Sequence, residues 1–250
     1  MDVKAYFDRI GLELPENPQP TSELLKKIHF AHCCAVPYEN YDMMRGIPTT
    51  LEAEGLLDKI VNRRRGGICF ELNGALALLL RELGYGVTEY ASRYLRGEPK
   101  PSMRRHRVLK VQAVDGCWLC DVGIGERAQR EPIQMVEGLV QKQYGETYRL
   151  RKDGFLGWVL EDFHKGVWAD FYSFTEEPQL VEDYVALNFY CEQHPDSPFN
   201  KDEMFALKTA DGRITLDGHI YKEIHGDQVA VKELTDEEMP WAYARFGLEK

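Results

Sequence analysis

One cysteine of the sequence lies where it could attack an acyl group. Cys69 follows Arg65, Gly66 and Gly67, and leucines then recur every three or four residues until Gly84, which predicts a buried helix that begins at the cysteine. The free N–H groups and dipole of a helix N-terminus favour a thiolate, and the glycines allow a sharp turn and close approach of a substrate. The pattern indicates a thiolate nucleophile. A buried structural cysteine is the alternative, because free cysteines are usually buried.

A thiolate nucleophile needs a base, and the base needs an acceptor that orients it. Among the seven histidines, His106 opens an alternating strand, and Asp121 lies at the end of the next one. A two-residue turn at Asp115-Gly116 would point both side chains to one face, but this register pairs Asp121 with Lys110 and leaves His106 about 13 Å away along the strand. A bulge, a longer turn or strong curling would have to close that gap. The alternative is a capped strand end and a surface aspartate.

The first third of the chain has the apolar spacing of helices, separated by capping residues, glycine and proline. Four helices are predicted there, and the helix of Cys69 is the fourth. The predicted boundaries are Gly11 at the end of the first helix, Thr21 and Pro37 at the start and end of the second, and the capping-box sequence at residues 49–52 at the start of the third.

From Val87 onward the apolar residues alternate, and Asp-Gly pairs at 115, 153, 211 and 217 are typical of hairpins. Antiparallel strands of a barrel or curled sheet are predicted around residues 107–114, 117–122, 147–151 and 155–160. A helix is predicted to start at Pro178, followed by more strands. A second capping box at residues 235–238 predicts a C-terminal helix that contains Trp241 and Phe246.

Composition limits the classes of function. The 250 residues are 44% hydrophobic, enough for a large core, and a formal net charge of -10 argues against a nucleic-acid or anionic-membrane surface, although a small anionic cofactor could be held locally. The N-terminus does not resemble an export signal and no apolar run approaches a membrane span, so a cytoplasmic protein with reduced thiols is expected. Cys117 and Cys120 have metal-site spacing, but in a strand they point to opposite faces, so no metal is expected.

Three segments resemble the active-site segments of the arylamine N-acetyltransferases, in the same order. They are Arg-Gly-Gly-Ile-Cys-Phe-Glu-Leu-Asn at 65–73, His106 ahead of its strand, and Trp-Leu-Cys-Asp-Val-Gly-Ile-Gly at 118–125. Further similarity lies at residues 6–12, 37–42 and 194–199. The resemblance implies a multidomain α+β fold: a helical bundle at 1–86, a β-barrel at 87–177, and a linking helix with an α/β lid at 178–250, with a Cys-His-Asp arrangement like that of cysteine proteases where bundle and barrel meet.

The resemblance also implies a ping-pong acetyltransferase of xenobiotic metabolism. Cys69 would be the acylated nucleophile, His106 its base and Asp121 the acceptor that orients His106. Acetyl-CoA would be the donor, and an arylamine, arylhydrazine or N-hydroxyarylamine the acceptor, with no metal, nucleic acid or membrane as partner. Arg65 would form a structural pair with Glu39.

Contacts with the two substrates are implied less directly. Ser102 lies in a loop that resembles the one near the CoA phosphates, although Met103 replaces its usual glycine. His194 and Ser197 fall near the family's CoA cleft, but the flanking prolines fit a simple turn equally well. The acceptor-pocket positions Tyr38 and Ile124 stand where phenylalanine is common, and Ile124 removes a surface on which an aryl ring could stack.

Other functions fit the same residues. A macrolactam-forming amide synthase would have the same fold and triad, and acceptance of its substrates would identify it. A homologue that only binds ligands would have an unreactive Cys69. A thiol protease or transglutaminase would be acylated by peptides rather than by CoA thioesters. The sequence leaves the oligomeric state open.

Overall fold

The computed structural model describes residues 1–98, 100–127 and 129–248. The two longest helices have 14 residues each, and no helix in these ranges is long and apolar enough to cross a bilayer. The helices are α1 (Val3–Ile10), α2 (Ser22–Ala35), α3 (Tyr41–Met44), α4 (Ala53–Leu57), α5 (Cys69–Glu82), α6 (Tyr184–Gln193) and α7 (Met239–Arg245).

The strands form two antiparallel sheets. The larger sheet has the order β5-β4-β3-β2-β9-β8-β7-β6, and the smaller one β1-β10-β11-β12-β13. Their bounds are β1 (Tyr38–Glu39), β2 (Gly86–Tyr94), β3 (His106–Ala113), β4 (Gly116–Cys120), β5 (Ile133–Gln134), β6 (Gln141–Gln143), β7 (Glu146–Asp153), β8 (Gly157–His164), β9 (Val167–Pro178), β10 (Met204–Lys208), β11 (Gly212–Asp217), β12 (Ile220–His225) and β13 (Gln228–Glu233).

The larger sheet curls until its two edge strands, β5 and β6, meet. The amide of Gln141 accepts from the N–H of Gln134 at 2.8 Å and donates to the Gln134 carbonyl at 3.0 Å. Gln143 makes the same pair of bonds with the backbone of Glu131, at 2.6 and 3.1 Å. Glutamine side chains thus replace the last backbone ladder of a barrel, and the edges do not stay unpaired.

Most predicted helix boundaries in the first third are confirmed. Gly11 ends α1 with φ +67°, and the hydroxyl of Thr21 accepts from the Leu24 N–H at the start of α2. The capping box predicted at residues 49–52 is wrong, because Glu52 precedes α4 and makes no side-chain cap. Instead, the N–H and hydroxyl of Thr49 donate to Glu192 of α6, at 2.6 and 2.7 Å. The contact with α6 therefore uses the N–H and hydroxyl groups of Thr49 that a capping box would have used.

The helix predicted to begin at Pro178 starts later. Pro178 still faces Tyr90 in the β2–β9 ladder, and the N–H of Gln179 donates to the Glu89 carbonyl at 2.9 Å. A short 3₁₀ turn follows, and α6 begins at Tyr184. Strand pairing therefore outweighs the tendency of proline to open a helix.

Helix α5 lies in the centre of the first core. Its leucines pack with α1, α2 and the strands β3 and β4 in one cluster, and the helix ends before Gly84, whose φ is +84°. From Cys69 to Ala77 every residue is buried. Close packing on all sides holds the first turn of α5 in one position. The fully buried members of this cluster include Tyr6, Phe7, Leu25, Ile28, Leu72, Leu76, Leu79, Leu80 and Val111.

The two sheets have cores of their own. The barrel encloses Val108, Leu119, Leu150, Leu160 and Phe171. The smaller sheet packs its inner face against α7. The capping box predicted at residues 235–238 does not open this helix: Glu238 accepts the Thr235 N–H at 3.0 Å, but α7 begins at Met239 and ends at Arg245, before Phe246. Strand β1, from the first third of the chain, pairs with β10, from the last. The division into residues 1–86, 87–177 and 178–250 stays a prediction.

Candidate active site

A cavity of about 460 Å³ opens where the start of α5 meets the barrel and the smaller sheet. Four of the residues predicted for the site line it: Cys69, His106, Tyr38 and Ile124. Tyr38 lies in β1, and Ile124 follows the loop that contains Asp121. Further lining residues are Tyr94, Glu98, Arg105, Phe199, Phe205, Leu216, Asp217 and Lys222.

The first turn of α5 places Cys69. The cysteine is the first helical residue, as its leucine spacing predicts, and its side chain is 5% exposed. The carboxylate of Glu71, two residues further on, accepts from the N–H of Ile68 at 3.1 Å. The Glu71 side chain therefore caps the helix that begins at Cys69.

Charged residues behind the helix hold this capping carboxylate in place. Lys59, which is 4% exposed, lies 2.9 Å from Glu71 and 3.1 Å from Asp42. Arg65 lies 3.0 Å from Asp42 and 2.8 Å from the fully buried Glu39, which confirms the predicted Arg65–Glu39 pair. Because each buried charge has a partner of opposite sign, the network avoids the large cost of an isolated ion.

The two glycines before Cys69 are needed for packing of the chain against itself. A Cβ atom on Gly66 would lie 2.0 Å from the carbonyl oxygen of Pro37, and one on Gly67 would lie 2.5 Å from the Glu71 carboxylate. Protein atoms already occupy the space beside both glycines, and neither is among the residues that line the cavity. Approach of a substrate to their backbone stays a prediction.

The hairpin that joins His106 to Asp121 differs by one residue from the prediction. The turn is Val114-Asp115, with Ala113 opposite Gly116, rather than Asp115-Gly116. The carboxylate of Asp115 accepts from the N–H of Ser22 at 2.8 Å, at the start of α2, and this contact holds the aspartate in the turn.

The corrected register removes the predicted gap. Lys110 pairs with Leu119, and Leu109 with Cys120. Asp121 therefore follows the strand opposite Val108, two residues from His106 and on the same face. Neither a bulge nor a longer turn is needed to bring His106 and Asp121 together.

His106 and Asp121 form a buried pair. Nε2 of His106 lies 2.7 Å from Oδ2 of Asp121, and Oδ1 accepts from Nδ2 of Asn73 and from the Gly123 N–H, both at 2.9 Å. Burial alone would raise the pKa of Asp121, but His106, Asn73 and the Gly123 N–H together lower it below the ordinary value. The alternative of a surface aspartate is therefore wrong, because Asp121 is fully buried and ionised.

The same pair controls the charge of His106. Burial alone would lower its pKa, but the Asp121 carboxylate, with Cys69 as a second contributor, raises it to about 10. The ring of Tyr172 packs edge-on against the imidazole, with 5.7 Å between the ring centroids. His106 is therefore held in one orientation and carries a proton at neutral pH.

Asn73 and His29 are site residues that the sequence reasoning missed. Asn73 lies four residues after Cys69 on α5. Residues with this spacing lie on the same face of a helix, and this is the sequence signal that could identify Asn73. His29, from α2, accepts the Asp121 N–H with Nε2 at 3.2 Å, while its Nδ1 lies 3.0 Å from the Arg130 carbonyl. No local pattern predicts a contact across 92 residues.

His29 should make stability depend on pH in the acid range. Burial lowers the pKa of His29 from its ordinary 6.5 to about 4. Between these values the unfolded chain binds the extra proton, so the free energy of unfolding falls by about 3 kcal/mol as pH drops through this range. Urea unfolding at several pH values should show about that much more loss in wild type than in His29→Gln. Parallel pH profiles would contradict a buried neutral His29.

The three residues expected near CoA are not among the residues that line the cavity. The hydroxyl of Ser102 donates to the Tyr94 carbonyl at 2.7 Å. His194 stacks on Tyr190 with 4.4 Å between centroids, and its Nδ1 accepts the Asp196 N–H. Ser197 is fully buried and its hydroxyl donates to the Cys191 carbonyl, which fits the turn interpretation. Contacts of Ser102 and His194 with CoA stay predictions.

Comparison with known proteins identifies the family. The family model described as N-acetyltransferase matches residues 21–249. The arylamine N-acetyltransferase of Mycolicibacterium smegmatis is 38% identical over 224 residues, which are 87% of this chain and 80% of the relative. An arylamine N-acetyltransferase / N-hydroxyarylamine O-acetyltransferase of Salmonella typhimurium is 32% identical and covers 98% of this chain and 88% of its own.

Solved structures agree with this. The structure of the Salmonella typhimurium arylamine N-acetyltransferase has a TM-score of 0.92 at 31% identity and covers 98% of this chain and 90% of its own. That of Mycobacterium marinum in complex with CoA has a TM-score of 0.90 at 32% identity, with 98% and 92% covered. The resemblance of the three sequence segments and the predicted α+β fold are both confirmed. The chain belongs to the arylamine N-acetyltransferase family.

Proposed function

We propose that this protein moves an acetyl group from acetyl-CoA to an arylamine, arylhydrazine or N-hydroxyarylamine through a thioester on Cys69. The observation that carries the proposal is the arrangement around one cavity: Cys69 and His106 line it, and Asp121 binds His106 from behind at 2.7 Å. Arylamine and N-hydroxyarylamine stand in the names of the relatives, and the arylhydrazine comes from the resemblance to the family. Metabolism of foreign amines in the cytoplasm is the proposed biological setting.

The first half-reaction forms the acyl-enzyme. A protonated His106 beside Cys69 favours the thiolate, which attacks the carbonyl carbon of the thioester. Backbone N–H groups at the very start of α5 are the proposed donors to the developing oxyanion, because the first N–H groups of a helix have no carbonyl partner one turn earlier. As the tetrahedral intermediate collapses, the carbon–sulfur bond to CoA breaks, and the imidazolium of His106 gives its proton to the departing thiolate.

The second half-reaction passes the acetyl group to the acceptor. His106 is now neutral and takes a proton from the amine nitrogen as this nitrogen attacks the thioester carbonyl. The Cys69 thiolate leaves, and the imidazolium that has formed is stabilised by Asp121. Asp121 keeps its negative charge throughout, and its fixed position holds the imidazole in the useful tautomer.

The cavity residues fit the reacting part of acetyl-CoA. The volume of about 460 Å³ lies in the range of small-molecule sites. Phe199 and Leu216 offer apolar contact to the acyl end, and Lys222 offers positive charge to an anionic donor, while Arg105 is paired with Glu98 at 3.0 Å. A relative from Mycobacterium marinum has been solved with CoA, and acetyl-CoA is the donor proposed for this chain.

The acceptor would contact Tyr38 and Ile124, which line the same cavity as Cys69. Tyr38 retains an aromatic face against which an aryl ring can pack. Ile124 offers apolar contact without stacking. Phe205 lines the cavity as well and adds a second aromatic surface from the smaller sheet.

Steady-state kinetics with acetyl-CoA and 4-methoxyaniline test this function. Double-reciprocal plots at several fixed acceptor concentrations should give parallel lines, because CoA leaves before the amine binds. Cys69→Ser serves as the control, since it keeps the size of the side chain but loses the thiolate. Intersecting lines, or a first equivalent of CoA that is released only when the amine is present, would contradict the proposal.

A further inference from the structure

One buried amide joins the three segments that contain Cys69, His106 and Asp121. Asn73 lies one helical turn beyond Cys69 on α5 and is fully buried. Its Nδ2 donates to Oδ1 of Asp121 at 2.9 Å and to the carbonyl of Arg107, the residue after His106, at 2.7 Å. Its Oδ1 accepts from the N–H of Val122, the residue after Asp121, at 3.0 Å.

These partners permit only one orientation of the Asn73 amide. Nδ2 faces two acceptors and Oδ1 faces a donor, so a flipped amide would place like groups against each other. The amide is also out of reach of the substrates, since Asn73 is not among the residues that line the cavity. Its bonds therefore serve the protein alone.

The Asp121 loop lies directly on the turn of α5 between Cys69 and Asn73. A Cβ atom on Gly123 would lie 2.6 Å from Cα of Cys69 and 2.8 Å from Nδ2 of Asn73. Oδ1 of Asp121 is taken by Asn73 and the Gly123 N–H, which leaves Oδ2 to His106. The close packing of Gly123 on Cys69 fixes the distance between the Asp121 loop and α5, and the amide of Asn73 fixes the rotation of the Asp121 carboxylate.

We propose that Asn73 is a positioning residue for acetyl transfer, which fixes the Asp121 carboxylate, and through it His106, relative to Cys69. The inference rests on the proposed function. Without the Nδ2 donor the carboxylate would lose one of its anchors and be free to rotate. His106 would then be oriented less well, and its charge would be held less firmly beside Cys69.

Asn73→Ala tests the proposal, with Asn40→Ala as the matched control. Asn40 is also buried, and its amide also makes three hydrogen bonds, in this case all to backbone, with Phe199, Asp202 and Met204 at 2.7 to 2.8 Å. None of these is bonded to Asp121, but Phe199 and Met204 line the cavity, so Asn40→Ala is compared with Asn73→Ala by stability and by alkylation of Cys69 only. The two variants should lose similar stability, and only the variant at 73 should shift the alkylation of Cys69.

Two readouts separate positioning from a structural function. The first is alkylation of Cys69 by iodoacetamide against pH, with His106→Gln as the positive control. In Asn73→Ala the midpoint should rise by about one pH unit, in the direction of His106→Gln, and in Asn40→Ala it should match wild type. The second is kcat, which should fall about 100-fold in Asn73→Ala while KM for acetyl-CoA stays unchanged.

Asn73→Asp is a second variant of nearly the same shape. It replaces the Nδ2 donor by an oxygen that faces Asp121, and it should lose at least as much kcat as the alanine variant. A folded variant at position 73 whose alkylation profile and kcat match those of wild type would overturn the proposal. Alkylation needs no acetyl-CoA, so a wild type that is not acetylated would count against the proposed function and leave the Asn73 test intact.

Discussion

Asp121→Asn is expected to lower the rate of Cys69 acetylation by roughly 10⁴, as the same change does in a serine triad. The carboxylate accepts the His106 N–H at 2.7 Å, and its other oxygen is held by Asn73 and Gly123. An amide in its place can present an N–H to the imidazole and so favour the wrong tautomer. It also removes the negative charge that raises the pKa of His106.

Rapid mixing with acetyl-CoA measures this rate, and circular dichroism confirms that the variant is folded. Asp115→Asn is the matched control: Asp115 lies on the same hairpin but is exposed and binds only the start of α2. The control should acetylate at the wild-type rate. A folded Asp121→Asn variant that also does so would remove Asp121 from the mechanism.

The nucleophile's helix could be predicted from sequence because its signals are local. Leucines from Leu72 to Leu83 and the stop at Gly84 specify where α5 runs, and its N-terminus follows from that. The cap on that helix is local too, since Glu71 binds the N–H of Ile68 three residues earlier. Such patterns depend only on residues that are close together in the sequence, so they can be recognised from one sequence alone.

The pairing of His106 with Asp121 was harder to predict because it depends on the register of a hairpin. Asp115-Gly116 is a strong hairpin signal, yet the turn lies one residue earlier, at Val114-Asp115, and Gly116 already pairs with Ala113. When the turn moves by one residue, the residue opposite Asp121 changes by two, from Lys110 to Val108. This change brings His106 close to Asp121. The resemblance to the family pointed to the right pair where spacing alone did not.

Apart from the Arg65–Glu39 pair, which the resemblance implied, the buried charges of this network could not be predicted. Lys59, Asp42 and Glu71 occur in helical stretches where charged residues are normally exposed. They are buried because each finds partners 12 or more residues away in the chain, as in the Lys59–Glu71 pair. The glutamine contacts that close the barrel between β5 and β6 are of the same long-range kind.

Acetylation of Cys69 itself is the central claim, and its loss in Cys69→Ala is expected to be complete. Among the thiols in the part of the chain that the structure describes, only that of Cys69 lies beside a protonated imidazole. Cys34 and Cys117, which are partly exposed, remain in the variant as internal controls. Burial raises the pKa of both of these thiols, so neither should react with a thioester at neutral pH.

Intact-protein mass after mixing with acetyl-CoA, in the absence of any acceptor, tests this claim most directly. Wild type should gain the mass of one acetyl group, and peptide mapping should place it on Cys69. Addition of an arylamine should then restore the original mass. A wild-type protein whose mass does not change, or a Cys69→Ala variant that gains the same acetyl group, would contradict the account.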